Sequence, residues 1–394
     1  MRRRRTLALV AAAAALAAVA VAAAASAAGP DKLTVAVYGD APYLDTSTPA
    51  LAAMPRAEFN ATPAFIDTIN ADPSLQEVIH VGDIHSGSEP CTRAYDLAVY
   101  GLWSIVQKPL IYTPGDNEWS DCTKVKEEPG SDNDNPTTHP NLPLENLGLI
   151  RQIFFARPGW TLGENPMHVI SQAQVYDHKF PTDSQFVENV MWQQGKTVFV
   201  TLDIPGGSNN DADPWYAAEH LPASPAEAIE MQQRTDADVR WLARAFRMAD
   251  DANNLVIVGQ SDMWDTTDSP SHQTNYEPIV QAMASDTLAF GKPVLYLNGD
   301  SHLYRSDDPL QQGSPCLGEA TSGAPVTACA KDAWNQHPYY DVPNFHRIVV
   351  HGSTFPLEWL KLTIDQGGGP YDPATSTSWG PFSWERETQS QLTP

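Results

Sequence analysis

The sequence predicts a layered α/β protein, and three observations carry that expectation. Short β-rich apolar runs alternate with segments of helical periodicity over most of the chain. Hydrophobic residues make up 42% of 394, enough to bury a sizeable core and too many for wholesale disorder. Four of the apolar runs end in the same dipeptide, Gly-Asp, at residues 39–40, 82–83, 115–116 and 299–300. Length alone allows two or three domains. No interdomain linker and no solenoid-type repeat is visible, so one large domain is expected over residues 29–366.

Taken in order, residues 1–28 read as an export leader. Arg2 to Arg5 form a positive stretch, Leu7 to Ala25 an apolar one, and Ala25-Ser26-Ala27 a small-residue cleavage site, placing the cut near Ala27. Roughly 17–25 apolar residues suffice to span a bilayer. This stretch is mostly Ala, however, so a secreted or extracytoplasmic chain is expected rather than a stable membrane anchor. Residues 33–38 read as a buried strand, 59–71 as a helix and 77–81 as a second strand. Residues 95–106 read as a helix leading into a strand at 110–112, whereas 127–143, rich in Pro, Asn and Asp, read as a loop. Residues 197–202 form another strand. Ser224-Pro225-Ala226-Glu227 is a capping box with Pro at the first helical position. The helix it opens places Val239, Leu242, Ala243 and Phe246 on one face. Residues 255–258 and 294–297 are further buried strands, and 345–350 with 359–364 read as a closing antiparallel pair. The tail, 367–394, is rich in Gly, Pro, Ser and Thr and is expected to be loosely held.

Charge and cysteine usage bound the function. Asp and Glu number 48 against 24 Lys and Arg, a net charge of −24, which argues against a nucleic-acid-binding module and against docking on anionic lipid. The 33 Pro and 11 Trp fit long ordered loops over a packed scaffold. None of the four Cys stands in a C-x-x-C pair, so disulfides are expected over zinc–thiolate or redox chemistry. Four Cys allow three connectivities; sequence order favours Cys91–Cys122 and Cys316–Cys329.

The recurring strand-to-Asp ending is the strongest functional signal. In open α/β sheets the working crevice lies beyond the carboxyl ends of the strands. A Gly there lets the chain turn sharply and leaves room for a ligand. Any single Gly-Asp is an ordinary turn. Several carboxylates converging on one point repel by about 4 kcal/mol per pair at 4 Å and an effective dielectric of 20. A divalent cation relieves that repulsion better than protonation does. His302, two residues after Asp300, adds a nitrogen ligand.

The ordered stretches Asp40-Ala41-Pro42, Gly82-Asp83-Ile84-His85, Gly115-Asp116-Asn117-Glu118, Gln260 and Gly299-Asp300-Ser301-His302 resemble the motifs of the calcineurin-like metallophosphoesterase superfamily, over residues 33–307. The resemblance implies an α/β/β/α sandwich with helices on the outer faces, and one or two divalent metals. One metal would take Asp40, a bridging Asp83 and His302; the other would take Asp83, Asp116, Gln260 and Asp300. Relative to the family pattern, nitrogen ligands are missing at Pro42, Gln260 and Asp300. The harder oxygen set favours Mn²⁺ or Mg²⁺, with Ca²⁺, Fe or Zn²⁺ behind them. Asn117 stands where the family carries a catalytic His; an amide can steady a phosphate but cannot protonate a leaving group.

Catalytic roles are therefore expected for Asn117, for Asp262 as an acid if burial raises its pKa, and for His302. Asn117 and Arg305 are candidates for phosphate binding, with a salt bridge from Arg305 to Asp307 or Asp308 as its alternative. His85 reads as a loop residue or a replacement ligand, and Glu118 as a water-orienting group or a turn cap. Trp264, after the fifth strand, is a candidate to face the cleft, whereas Asn209-Asn210 reads as an ordinary turn first and as lining of the same edge second. The expected function is a metal-dependent phosphoesterase acting on small mono- or diesters. The alternative is a catalytically impaired binding protein for a metal, phosphate or glycan. A serine hydrolase is disfavoured because no Gly-x-Ser-x-Gly elbow is present.

Overall fold

A computed structural model describes residues 31–44, 56–87, 89, 91–124, 143–210, 225–367 and 375–388. The expected export leader, most of the expected 127–143 loop and Ser224 of the expected capping box lie outside the described residues. The first half runs β1 (Lys32–Tyr38), α1 (Ala57–Asn70), β2 (Glu77–His80), α2 (Arg93–Trp103), β3 (Leu110–Tyr112) and α3 (Pro143–Phe154). Thr92 caps α2 by accepting a hydrogen bond from Tyr95 N at 3.2 Å. Two short elements, β4 (Ile170–Ser171) and α4 (Gln172–Val175), precede the hairpin β5 (Val190–Gln194) and β6 (Thr197–Thr201). Next come α5 (Gly206–Asn210), a turn with left-handed residues 207–209, and the long α6 (Pro225–Met248). The second half adds β7 (Asn254–Val258), α7 (Glu277–Phe290), β8 (Val294–Asn298), β9 (Arg305–Asp307), β10 (Cys316–Gly318), β11 (Thr327–Ala328) and β12 (Phe345–Val349). The chain closes with β13 (Glu358–Asp365), β14 (Ser378–Trp379) and β15 (Phe382–Thr388).

The strands form two mixed sheets, ordered β14-β15-β13-β1-β2-β3 and β11-β10-β9-β12-β8-β7-β6-β5-β4. Alternation along each strand packs them into four layers. Val35 and Val37 of β1 meet Val256, Val258, Leu295 and Leu297 between the sheets, while Ala36 and Tyr38 face α1 and α2 on the other side. Leu255, Ile257, Val294 and Tyr296 likewise face away from the first sheet, against Trp241 and Leu242 of α6 and Ile279 and Met283 of α7. The architecture is the expected α/β/β/α sandwich.

Two expectations fail. Residues 345–350 and 359–364 do not pair with each other: β12 lies between β8 and β9 of one sheet, and β13 between β1 and β15 of the other. Between them the chain crosses from one sheet to the other, which two adjacent apolar runs cannot signal. Within the tail, residues 378–388 form β14 and β15, and Trp379, Phe382 and Trp384 are buried between the sheets. Their aromatic content outweighs the flexible residues around them. Both favoured disulfides are formed, Cys91–Cys122 and Cys316–Cys329, with Cα–Cα distances of 5.6 and 5.3 Å. Among the described residues no helix is long and apolar enough to cross a membrane.

Candidate metal centre

β1 and β2 of one sheet and β7 and β8 of the other present their carboxyl ends to a common cleft of about 370 Å³. At each exit the chain turns abruptly. Asp40, Asp83 and Asp300 adopt left-handed backbone with φ of 49, 59 and 75°, and His302 follows at 62°. Non-glycine residues hold such conformations only where the surroundings over-determine them. Here the carboxylates supply the reason. Asp40 Oδ1 accepts the Asp300 amide at 2.9 Å, and Asp300 Oδ2 accepts the Asp262 amide at 2.8 Å. Asp83 Oδ1 accepts the Asn117 amide at 3.2 Å. Each loop is thereby fastened to the next.

The result is two overlapping clusters. Single ligand atoms of Asp40, Asp83 and His302 lie within 4.8 Å of one another, and so do those of Asp83, Asp116 and Asp300. Asp83 belongs to both, so five of the six expected metal residues converge with Asp83 in the middle. The packing leaves no slack. A Cβ on Gly115 would stand 2.0 Å from Asp83 Oδ1, and one on Gly206 would stand 2.7 and 2.8 Å from Asp300 Oδ1 and Asp116 Oδ2.

The donor set fits divalent cations. Asp40 Oδ2 is buried and has no hydrogen-bond partner among the described residues. Burial pushes the Asp40 carboxyl up to about 8, and the Asp116 charge adds to this against the lowering effect of the Asp300 amide. Asp83 and Asp300 are driven well above the usual carboxylate range, first by burial and then by Asp116. His302 is lowered to about 4 by desolvation, so its ring is neutral and its Nε2, 3.5 Å from Asp40 Oδ1, can serve as a ligand. Repelling oxygens plus a neutral imidazole make a site that a cation stabilises.

Other expected residues have different duties. Gln260 sits in the centre, but its Oε1 accepts the Gly206 amide at 2.6 Å while Nε2 donates to Asp83 Oδ2 and Asp116 Oδ1, both at 2.9 Å. A backbone N–H faces the oxygen and two carboxylates face the nitrogen, so Gln260 is a hydrogen-bonding strap rather than an oxygen ligand. Asp262 lines the cleft, yet it is no general acid. Burial would raise its pKa, but the buried Arg347 guanidinium paired with it, helped by Arg305 and Ser301, holds it below the usual value. Arg305 does not line the cleft: its Nη2 donates to Thr266 Oγ1 at 3.3 Å. Its alternative partners are also engaged elsewhere, Asp307 with Arg347 and Asp308 with His346.

Asn117 does line the cleft, where its Nδ2 donates to the Tyr43 hydroxyl at 3.4 Å. Glu118 caps the loops: Oε1 accepts the Asp83 and Gly115 amides at 3.1 and 2.9 Å and the Tyr112 hydroxyl at 2.6 Å. His85 is fully buried beside Tyr95 and stands outside both clusters. Trp264 is buried against His337 and Phe345. Asn209 is tied down by Arg234, which donates to its backbone and side-chain oxygens, while the Asn210 side chain lies outside the described residues.

Sequence reasoning missed Tyr43. Its hydroxyl lies 3.4 Å from His302 Nε2, and burial followed by the Asp83 and Asp40 charges keeps its proton firmly in place. The one available signal was its position, three residues beyond Asp40 on the same loop. Also missed was the cleft's outer wall, Asp265, Asp268, Gln273 and Tyr276.

No protein-family profile and no curated protein matches this sequence. Among solved structures the chain is similar to a dimetal phosphatase from Danio rerio, with 10% identity and a TM-score of 0.43, over 91% of this chain and 99% of that one. It is also similar to a purple acid phosphatase from yellow lupin (Lupinus luteus) seeds, with 12% identity and a TM-score of 0.43, over 91% of this chain and 52% of that one.

Proposed function

We propose that this protein is a metal-dependent phosphoesterase that hydrolyses small phosphate mono- or diesters outside the cytoplasm. One observation carries the reading: two clusters of ligand atoms share the Asp83 carboxylate at the floor of an open cleft. Two cations that close would supply Lewis-acid charge to a phosphoryl group and lower the pKa of a bound water. Asp40, Asp83 and His302 would hold one, and Asp83, Asp116 and Asp300 the other. Asn117 and Tyr43 then face the substrate as neutral donors to phosphate oxygens, Tyr43 keeping its proton at neutral pH. Neither Asn117 nor Asp262 can protonate a leaving group, so esters of acidic alcohols are favoured. The two disulfides suit an oxidising compartment.

Gln260 favours a second reading. Its amide nitrogen lies against both Asp83 and Asp116, where the second cation's ligands meet. A protein holding one cation or none, and binding phosphate without turnover, follows from that. The test is metal-stripped protein assayed on aryl phosphate mono- and diesters with Mn²⁺, Mg²⁺, Ca²⁺ or Zn²⁺ restored singly. Metal-dependent release of the phenol supports the phosphoesterase. No rate above the stripped control with any ion, together with less than one bound equivalent, supports the binding protein.

A further inference from the structure

We propose that the cleft selects phosphate esters whose alcohol carries a primary ammonium group, received by a wall of Asp265, Asp268 and Gln273 while the phosphate faces the candidate metal centre. This rests on the phosphoesterase reading and names its substrate class.

The wall is built almost entirely of hydrogen-bond acceptors. Seven aspartates line the cleft, and among the described residues no Lys or Arg does. Three of the seven, Asp83, Asp116 and Asp300, belong to the metal clusters, and Asp262 is paired with Arg347. Asp265 and Asp268 are half-buried, line the same cleft and have no Arg or Lys partner among the described residues. Among the described residues the Asp265 carboxylate accepts hydrogen bonds only from Thr267, at 2.8 and 2.7 Å. Asp268 accepts Gln273 Nε2 at 3.0 Å and lies 3.4 Å from His272 Nδ1. Arg305 and Lys331 come to the neighbouring Thr266, where they donate to its side-chain and backbone oxygens.

Gln273 points to a ligand independently. It is 2% exposed, lines the cleft, and is held through its nitrogen to Asp268, yet its Oε1 has no hydrogen-bond partner among the described residues. A buried amide oxygen without a donor is costly, and an incoming N–H satisfies it. Two carboxylates lining the same cleft, neither with an Arg or Lys partner among the described residues, ask for a donor that is also positive. A primary ammonium offers three N–H groups and a charge; a quaternary ammonium has the charge without a donor; a polyphosphate would be repelled.

The test compares O-phosphoethanolamine, n-propyl phosphate of the same shape without the charge, and phosphocholine, which has the charge without N–H. Binding to Mn²⁺-loaded protein is measured by calorimetry, and phosphate release is followed in parallel. The expected result is at least about tenfold tighter binding of O-phosphoethanolamine than of n-propyl phosphate, with phosphocholine between them. In Asp268→Asn and Asp265→Asn, both at partly exposed positions, the ratio should fall toward unity. Equal affinity for the first two compounds, a preference that survives both substitutions, or no binding of any of the three overturns the inference. Selective binding with no phosphate release under any metal contradicts the phosphoesterase reading instead, and leaves the ammonium wall supported.

Discussion

At the residue scale the account turns on Asp83. Replacing one carboxylate oxygen by a nitrogen in Asp83→Asn removes the bridge and also removes a source of repulsion. The variant should lose Mn²⁺ retention and phosphatase activity together. Without metal, it should be more stable than metal-free wild type at pH 8, as measured by denaturant unfolding; a variant that is both metal-free and less stable contradicts the crowding of charge. Arg347 is the opposite case. It is fully buried between Asp262 and Asp307, so Arg347→Met leaves two carboxylates without their counter-ion and should cost about 3–5 kcal/mol of stability. The Gly-Asp carboxylates were legible because residue type and strand context together announce them. Asp262 was misjudged because its partner lies 85 residues away, and Gln260 because an amide can present either end.

At the element scale, site geometry is a property of loops held at close range. The Cys91–Cys122 bridge ties the segment after Asp83 to the segment after Asp116, with a separation of 31 residues. Replacing both cysteines with Ser should destabilise the protein by about 2–5 kcal/mol and weaken metal binding at the same time. The α5 turn matters through Gly206, whose amide holds Gln260 and whose missing side chain makes room for Asp116 and Asp300. Gly206→Ala should therefore lower Mn²⁺ affinity by about 10–100-fold in a chelator competition. Unchanged affinity would mean that the second cluster is not a binding site. Periodicity in the sequence located β1, β2, β3, β6, β7, β8, β12, β13 and the helices α1, α2 and α6 to within a few residues, but not α3, α7, β5 or β15. It did not reveal which sheet β12 and β13 join, because pairing partners are set by contacts across the whole chain rather than by local pattern.

At the scale of the whole molecule, two sheets press their apolar faces together and bring the loops of both to one edge. Charge stored at that edge should be visible in the pH dependence of stability. A carboxyl whose pKa rises on folding, as that of Asp40 does from 3.8 to about 8, favours the fold while protonated in both states and loses that contribution as pH climbs through 8. His302, lowered from 6.5 to about 4, works in the opposite sense and costs stability as pH falls through that window. A bound cation stabilises the ionised carboxylates and the neutral imidazole alike. The gain in Tm produced by Mn²⁺ should accordingly grow from pH 4 to pH 8; a gain independent of pH would separate metal binding from these groups. The sandwich itself was legible from alternating elements, and so was the acidity of its cleft. The acceptor wall was not, because Asp265, Asp268 and Gln273 acquire meaning only when folding brings them into one cleft with Asp83, Asp116 and Asp300.

In the proposed function Asp83 bridges two cation sites at the meeting of these loops. Anomalous diffraction at the manganese edge from crystals soaked in Mn²⁺ tests it most directly. Two peaks flanking the Asp83 carboxylate, one toward Asp40 and His302 and one toward Asp116 and Asp300, are expected. Density confined to the protein surface, with none against Asp83, would contradict the claim.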